Sequence, residues 1–315
     1  MLDLADARAT EESRSPRIGA RFSPPKMRWG RAAAWAVLIL VMLVTLFPFY
    51  WMLRTSLSNT RALAAGSASL LPVDFTFGAY KRVLGLSPPA EAIAEGGTGA
   101  TLNFWLYLRN SVIVATTVTI GQVFFSSMAA YAFARMRWPG RDVIFLIFLS
   151  ALMVPPIFTT LPNFVLMKDL GLLNTYLGIV LPGLLMTPFA VFFLRQFFLG
   201  INRELDEAAR LDGAGHAQIF LRIILPVARM PITTLAVLVY IGVWNDYFWP
   251  LLVGKDEGVR VLTVALGIFR SQTPQGSPDW AGLMAATLVA ALPVIVIFAI
   301  LGRRVIDSLG YTGVK

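Results

Sequence analysis

The chain has 315 residues, 57% of them hydrophobic and 14% charged, with no cysteine, one histidine and a formal net charge of +9. A mean hydropathy of +0.68 is more than a soluble core of this length can absorb, which excludes an ordinary soluble domain. The lack of cysteine excludes disulfides, zinc–thiolate sites and thiol nucleophiles, and the positive charge suits anionic lipid and an inner-face bias better than nucleic acid.

Residues 1–31 are polar and carry Arg8, Arg14, Arg17, Arg21, Lys26, Arg28 and Arg31, which reads as a disordered cytoplasmic arm. A cleaved leader would be shorter and end at a small-residue site. Here the first apolar stretch ends in Phe47-Pro48-Phe49-Tyr50-Trp51, so a retained first helix is expected. Six stretches, 32–53, 106–133, 143–166, 176–198, 231–252 and 281–302, approach the roughly 20 residues that a helix rising about 1.5 Å per residue needs to cross a bilayer. The expected fold is all-α, a six-span polytopic membrane domain over 32–302 followed by a cytoplasmic tail at 303–315.

Between the first two spans, residues 54–105 contain Ser87-Pro88-Pro89 and Gly96-Gly97-Thr98-Gly99 and read as outer loops with one or two short helices. Span three contains Pro155-Pro156, and span four contains Pro182 and Pro188. Each proline removes a backbone donor, so these spans bend, either around a solute pathway or as packing kinks. The outer stretch 253–280 is turn-rich, with 271–278 its most irregular part.

Uncharged polar residues within spans, such as Asn110, Ser111, Ser126, Ser127 and Thr160, ordinarily bond to a neighbouring helix. Gln122, Thr159, Asn163 and Asn245 are the candidates for the solute pathway, since such groups match sugar hydroxyls. Asp246 is costlier at membrane depth, so it lies at an aqueous edge or is structurally committed, and it reads as an edge residue rather than one that binds solute. Its neighbours Trp244, Tyr247, Phe248 and Trp249 read as an interfacial aromatic belt. With cytoplasmic termini, 18 of the 27 basic residues fall on inner segments, which favours that orientation.

The loop between spans four and five, 200–230, holds a charged island at 204–215. Asn202 can cap a helix there, Glu204 and Asp206 suit its positive end, and Leu205, Ala208, Ala209 and Leu211 offer an apolar, small-residue face. Glu207 and Arg210 stand three apart and can pair. Gly213 and Gly215 permit a tight turn into a second short helix over 216–225 that ends before Pro226. The result is a helix-turn-helix that serves either as a docking surface or as a plain linker. Its mixed charges argue against DNA recognition.

The string Glu207-Ala208-Ala209-Arg210-Leu211-Asp212-Gly213-Ala214, followed by Phe220, Ile223, Leu225-Pro226 and Pro231, resembles the cytoplasmic loop of ATP-binding cassette importer permeases. Phe192-Phe193-Leu194-Arg195-Gln196-Phe197-Phe198 and Trp244-Asn245-Asp246-Tyr247-Phe248-Trp249-Pro250-Leu251 resemble the maltose-type carbohydrate branch, and Asn110-Ser111, the exit Tyr131-Ala132-Phe133-Ala134-Arg135 and the Gly-Tyr-Thr-Gly-Val-Lys ending at Lys315 extend the family resemblance. The resemblance covers about 32–315, and Asn202 stands where the family often has proline. It implies a permease subunit in a bacterial or archaeal plasma membrane, paired with a second homologous permease and two cytosolic ATPases, and fed by an extracytoplasmic solute-binding protein. Glu204, Glu207, Ala208, Ala209, Arg210, Asp212, Gly213 and Gly215 would then form the ATPase-coupling loop. ATP and magnesium would be bound by the partners, with no cofactor, metal or catalytic residue in this chain.

The sequence shows neither a Walker-type glycine loop with lysine nor a paired nucleophile and base, so no enzyme activity is expected. A permease for glycerol phosphate or a polyamine is the nearest alternative. A secondary carrier or membrane scaffold is the more distant one, because buried coupling carboxylates and an inverted repeat are not evident.

Overall fold

The computed structural model describes residues 28–66, 69–95, 102–271 and 279–310. The arm at 1–27, the glycine run at 96–99, the turns at 272–278 and the ending at 311–315 lie outside the described residues. Every described element is helical. The chain divides into two units, Met1–Phe49 and Tyr50–Lys315.

α1 (Arg28–Ser56), whose residues up to Phe49 belong to the first unit, starts within the stretch expected to be an arm. Its residues 29–49 are exposed all round, and its window of mean hydropathy 2.4 has none of its residues buried. A helix apolar on every side is stable only with lipid or protein about it.

The second unit is organised around α5 (Phe104–Arg135), the second span. Three described helices are long and apolar enough to cross a membrane alone, and counting each of three bent pairs as one span gives six. The segment before α5, expected on the outer side, contains α2 (Thr60–Ala64), α3 (Gly78–Val83) and α4 (Pro89–Ala94), three short helices where one or two were expected. Asn59 starts α2 by accepting from the backbone N–H of Arg61 at 2.9 Å.

Span three is broken. α6 (Arg141–Ser150) continues to Met153, and α7 (Pro156–Asp169) leaves at 97°. The cause is Pro155-Pro156, which removes two donors and drives Val154 and Pro155 into extended backbone. Span four bends by 43° between α8 (Tyr176–Leu184) and α9 (Pro188–Leu199). Thr187 restarts it, its hydroxyl accepting from the N–H of Ala190 at 3.4 Å, with Pro188 at the first helical position, where its missing donor is not needed.

After α10 (Glu204–Leu211), α11 (His216–Ile219) runs through a π-helical turn at Phe220–Ile224 into α12 (Leu225–Val227). An 80° bend then leads into α13 (Arg229–Trp244). The fifth span was expected to run on to 252. Instead the helix stops at Trp244 and α14 (Phe248–Val253) starts afresh. Asp246 accepts from the N–H of Trp249 at 3.4 Å, and its carbonyl accepts from Thr263 Oγ1 at 2.7 Å. The half-buried carboxylate thus caps the start of α14. Trp244, expected in an interfacial belt, is buried and stacks on Tyr240 at 5.8 Å, while Tyr247 and Phe248 are exposed.

The stretch expected to be turn-rich carries α15 (Leu262–Ser271). α16 (Trp280–Gly310) carries helix through 303–310, where a separate tail was expected. Asp279 begins α16 by accepting from the N–H of Gly282 at 2.8 Å. Arg82 joins this carboxylate at 3.2 Å and Glu95 at 2.8 Å, and Thr60 donates to Asp279 at 3.1 Å. These short helices are thus fastened to the start of span six by a nearly buried ion-pair network. Asp279→Ala leaves Arg82 short of charge and is expected to cost about 3 kcal/mol. The check is the thermal midpoint of the detergent-solubilised protein, and an unchanged midpoint would show the network idle.

Candidate functional site

α10 begins where Asn202 folds back on it. Asn202 Oδ1 accepts from the N–H of Glu204 at 3.1 Å and its amide donates to Glu204 Oε2 at 3.0 Å. The expected capping role is thus met from one residue before the helix's N-cap, Arg203. Glu204, Asp206 and Glu207 place acidic charge in the first turn, where the helix dipole favours it.

The helix ends in a Schellman motif. The N–H of Ala214 donates to Ala209 O at 2.9 Å, and that of Gly213 to Arg210 O at 3.0 Å. Gly213 has φ +83°, the left-handed region that glycine enters without a Cβ penalty. Gly215 then starts α11, its N–H donating to Gln218 Oε1 at 3.1 Å. The expected tight turn between two short helices is what forms.

Which face of α10 points inward differs from expectation. Asp206 is buried and Ala209 half-buried, whereas Leu205, Ala208 and Leu211 are exposed, Leu211 at 90%. The inward anchor is electrostatic. Asp206 Oδ2 lies 3.7 Å from Arg135 Nη1 at the end of span two, with side chains 9% and 2% exposed. Arg135 Nη2 also donates to Ile201 O at 2.6 Å, so one guanidinium holds both the approach to α10 and its first turn. Sequence reasoning placed Asp206 only at the helix dipole and missed this partner 71 positions earlier. The available signal was Arg135 itself, an arginine closing an apolar span.

Glu207 and Arg210, expected to pair, form no ion pair among the described residues. Both are exposed, where water competes and such a pair gains little. Beneath the loop, Tyr131 meets His216 Nδ1 at 3.4 Å and Phe220 at a ring distance of 5.4 Å. Ala209 and Ala214 rest on the cluster of Leu194, Phe198, Ile219 and Ile224. Glu204, Glu207, Ala208, Arg210, Asp212, Gly213 and Gly215 are left on the outer surface, with exposed apolar groups standing among the charges.

The solute candidates are more dispersed. Gln122 Nε2 donates to Thr187 Oγ1 at 3.0 Å, and Ser126, one turn on, accepts from the N–H of Thr187 at 3.4 Å. Gln122 thus gives one amide donor to the break in span four. Thr159 Oγ1 donates to Pro156 O at 2.8 Å and is exposed, while Asn163, one turn further along α7, is half-buried. Asn245 caps the end of α13, its amide donating to Ile241 O at 2.8 Å. No hydrogen bond among the described residues joins two of these four. Asn110, fully buried, instead holds the carbonyls of Gly258 and Arg260 at 3.0 and 2.9 Å and accepts from Tyr176 at 2.6 Å.

Bent spans around α5 and a rigidly seated loop define a polytopic transport subunit. Residues 122–309 match the family described as binding-protein-dependent transport system inner membrane component, and the chain belongs to it. The chain is 31% identical to the diacetylchitobiose uptake system permease protein of Streptomyces coelicolor, over 92% of this chain and 90% of that protein. It is 34% identical to the sn-glycerol-3-phosphate transport system permease protein of Salmonella typhi, over 87% and 93%. Among solved structures, a bacterial ABC transporter involved in the import of the acidic polysaccharide alginate superposes with a TM-score of 0.74 at 25% identity, covering 88% of this chain and 96% of that one.

Proposed function

We propose that this chain is one of two permease subunits of an ATP-binding cassette importer, passing a disaccharide or oligosaccharide inward with both termini cytoplasmic. The observation that supports this most directly is α10. It is an exposed helix of charged and small residues, anchored from beneath by a buried ion pair. That is what a docking element needs if a partner's movement is to reach the spans. Two cytosolic ATPases bind ATP and magnesium, and one of them docks on Glu204, Glu207, Ala208 and Gly213 of this chain. The chain itself catalyses no reaction, and an extracytoplasmic binding protein delivers the solute.

A carbohydrate is favoured on charge. No lysine or arginine falls within 110–134, 142–167, 169–194 or 230–254, so the membrane-depth parts of these spans offer no fixed cation to an anion. Glycerol phosphate is the second reading, because a relative of similar identity is named for it. Thr159 and Asn163, one turn apart on α7, are the pathway residues with the fewest other commitments.

The test is reconstitution of the full complex in proteoliposomes, with a panel of sugars and glycerol 3-phosphate. ATP-dependent uptake of a sugar that requires the binding protein supports the assignment. Uptake driven by an ion gradient without ATP sinks it, and uptake of glycerol 3-phosphate alone selects the second reading. Glu207→Lys, at an exposed residue, is expected to reduce ATPase recovery on the purified permease several-fold without altering membrane insertion. Unchanged recovery would remove Glu207 from the docking surface.

A further inference from the structure

Between the turn joining spans two and three and the start of α10 lies an open cavity of about 500 Å³, lined by Arg137, Trp138, Gly140, Arg141, Asp142, Val143 and Arg203. Its cations are not equally engaged. Arg141 chelates Asp142 at 3.0 and 3.2 Å, and Arg195 stands 3.7 Å from the same carboxylate, so the one acidic group is already neutralised. Arg137 and Arg203 are exposed, and neither side chain makes an ion pair or hydrogen bond among the described residues. Two guanidiniums therefore face one cavity with their donors free, and the backbone donors that open α6 add partial positive charge.

We propose that this cavity holds the phosphate of an anionic phospholipid headgroup. A lipid is favoured over a free phosphate because the cavity adjoins apolar surface that lipid would cover. Val143 is 63% exposed, Ile144 49% and Ile147 65%, and Trp138, packed on Phe133 at 5.7 Å, has the amphipathic ring that settles at headgroup level. A basic cavity at the inner end of the spans is where such headgroups are held. The assignment rests on the proposed cytoplasmic orientation of this end.

The experiment takes the purified full complex in detergent, offers equal amounts of phosphatidylglycerol and phosphatidylcholine, and counts retained lipid by native mass spectrometry. Phosphatidylglycerol is expected to be preferred. Arg137→Gln with Arg203→Gln is expected to reduce that preference about thirtyfold, taking the contribution of two basic residues near a membrane surface. Trp138→Ala is expected to weaken retention of both lipids. Retention unchanged in the double variant overturns the proposal. So does displacement of the lipid by inorganic phosphate, which would mark a free-anion site, and so does loss of the ATPase with lipid retention intact, which would mark a protein contact. Recovery of the intact complex and an unchanged thermal midpoint show that a variant has folded. Orientation is read separately, by labelling Arg137→Cys in sealed vesicles. Labelling from the outer side would sink the orientation while leaving the lipid measurement standing.

Discussion

Asp206→Ala is expected to abolish most ATP-dependent uptake while leaving the protein in the membrane. The substitution strands the guanidinium of Arg135, whose side chain is 2% exposed, with only the carbonyl of Ile201 as hydrogen-bond partner among the described residues. Breaking a buried pair from one side costs about 3–5 kcal/mol, enough to release α10 from span two. Arg135→Ala strands the carboxylate and should have the same effect. Replacing both partners together, Arg135→Met with Asp206→Leu, is expected to restore the thermal midpoint, because apolar residues of similar volume often equal or exceed a buried ion pair. If uptake returns with stability, the pair acts as a fastener. Wild-type uptake and midpoint in Asp206→Ala would refute the anchoring role altogether.

Gly213→Val is expected to be the most damaging single change on the exposed face of the loop. Its φ of +83° penalises any Cβ, on the order of 1–2 kcal/mol for an ordinary residue, and a β-branched side chain suffers more. No atom of the protein lies within 4 Å of a Cβ added there, so within this chain the penalty is one of backbone conformation alone. That allows two causes to be separated. Asparagine accepts left-handed backbone, so Gly213→Asn should keep the turn. If Gly213→Asn couples the ATPase normally and Gly213→Val does not, the turn geometry is what matters. If both fail in ATPase recovery, the partner approaches this backbone too closely for any side chain. Normal uptake by Gly213→Val would remove the glycine from the mechanism.

The spans and the loop were legible in the sequence because both are written locally. Twenty apolar residues in a row mark a span wherever they occur, and Gly213 after a short periodic helix marks its own turn. What the sequence hid was non-local. Asp206 looked like one more acidic residue in a first helical turn, and only the fold brings Arg135 to it. Gln122 drew notice because its amide can match sugar hydroxyls, and only the fold shows that amide donating to Thr187 at a break in another helix. α15 was missed because its loop is rich in turn formers at the margins, while Leu262, Val264 and Ala265 are buried by packing against distant helices. Trp244 illustrates the reverse error, an aromatic assigned to the membrane interface by its neighbours and claimed by the core.

The hydrogen bonds of α5 fall at three heights. Asn110 is tied to Tyr176 near one end, Gln122 and Ser126 grip Thr187 in the middle, and Arg135 holds Ile201 and Asp206 at the other end. From Asn110 to Arg135 is 25 residues, roughly 38 Å at the α-helical rise. Spans two and four are therefore bolted together like the rails of a ladder, with the proposed ATPase contact at its foot. A thrust delivered there cannot be absorbed by slack between the rails. In the proposed assembly it would tilt the frame, so that a displacement on one side of the bilayer would be carried to the other within the same stroke.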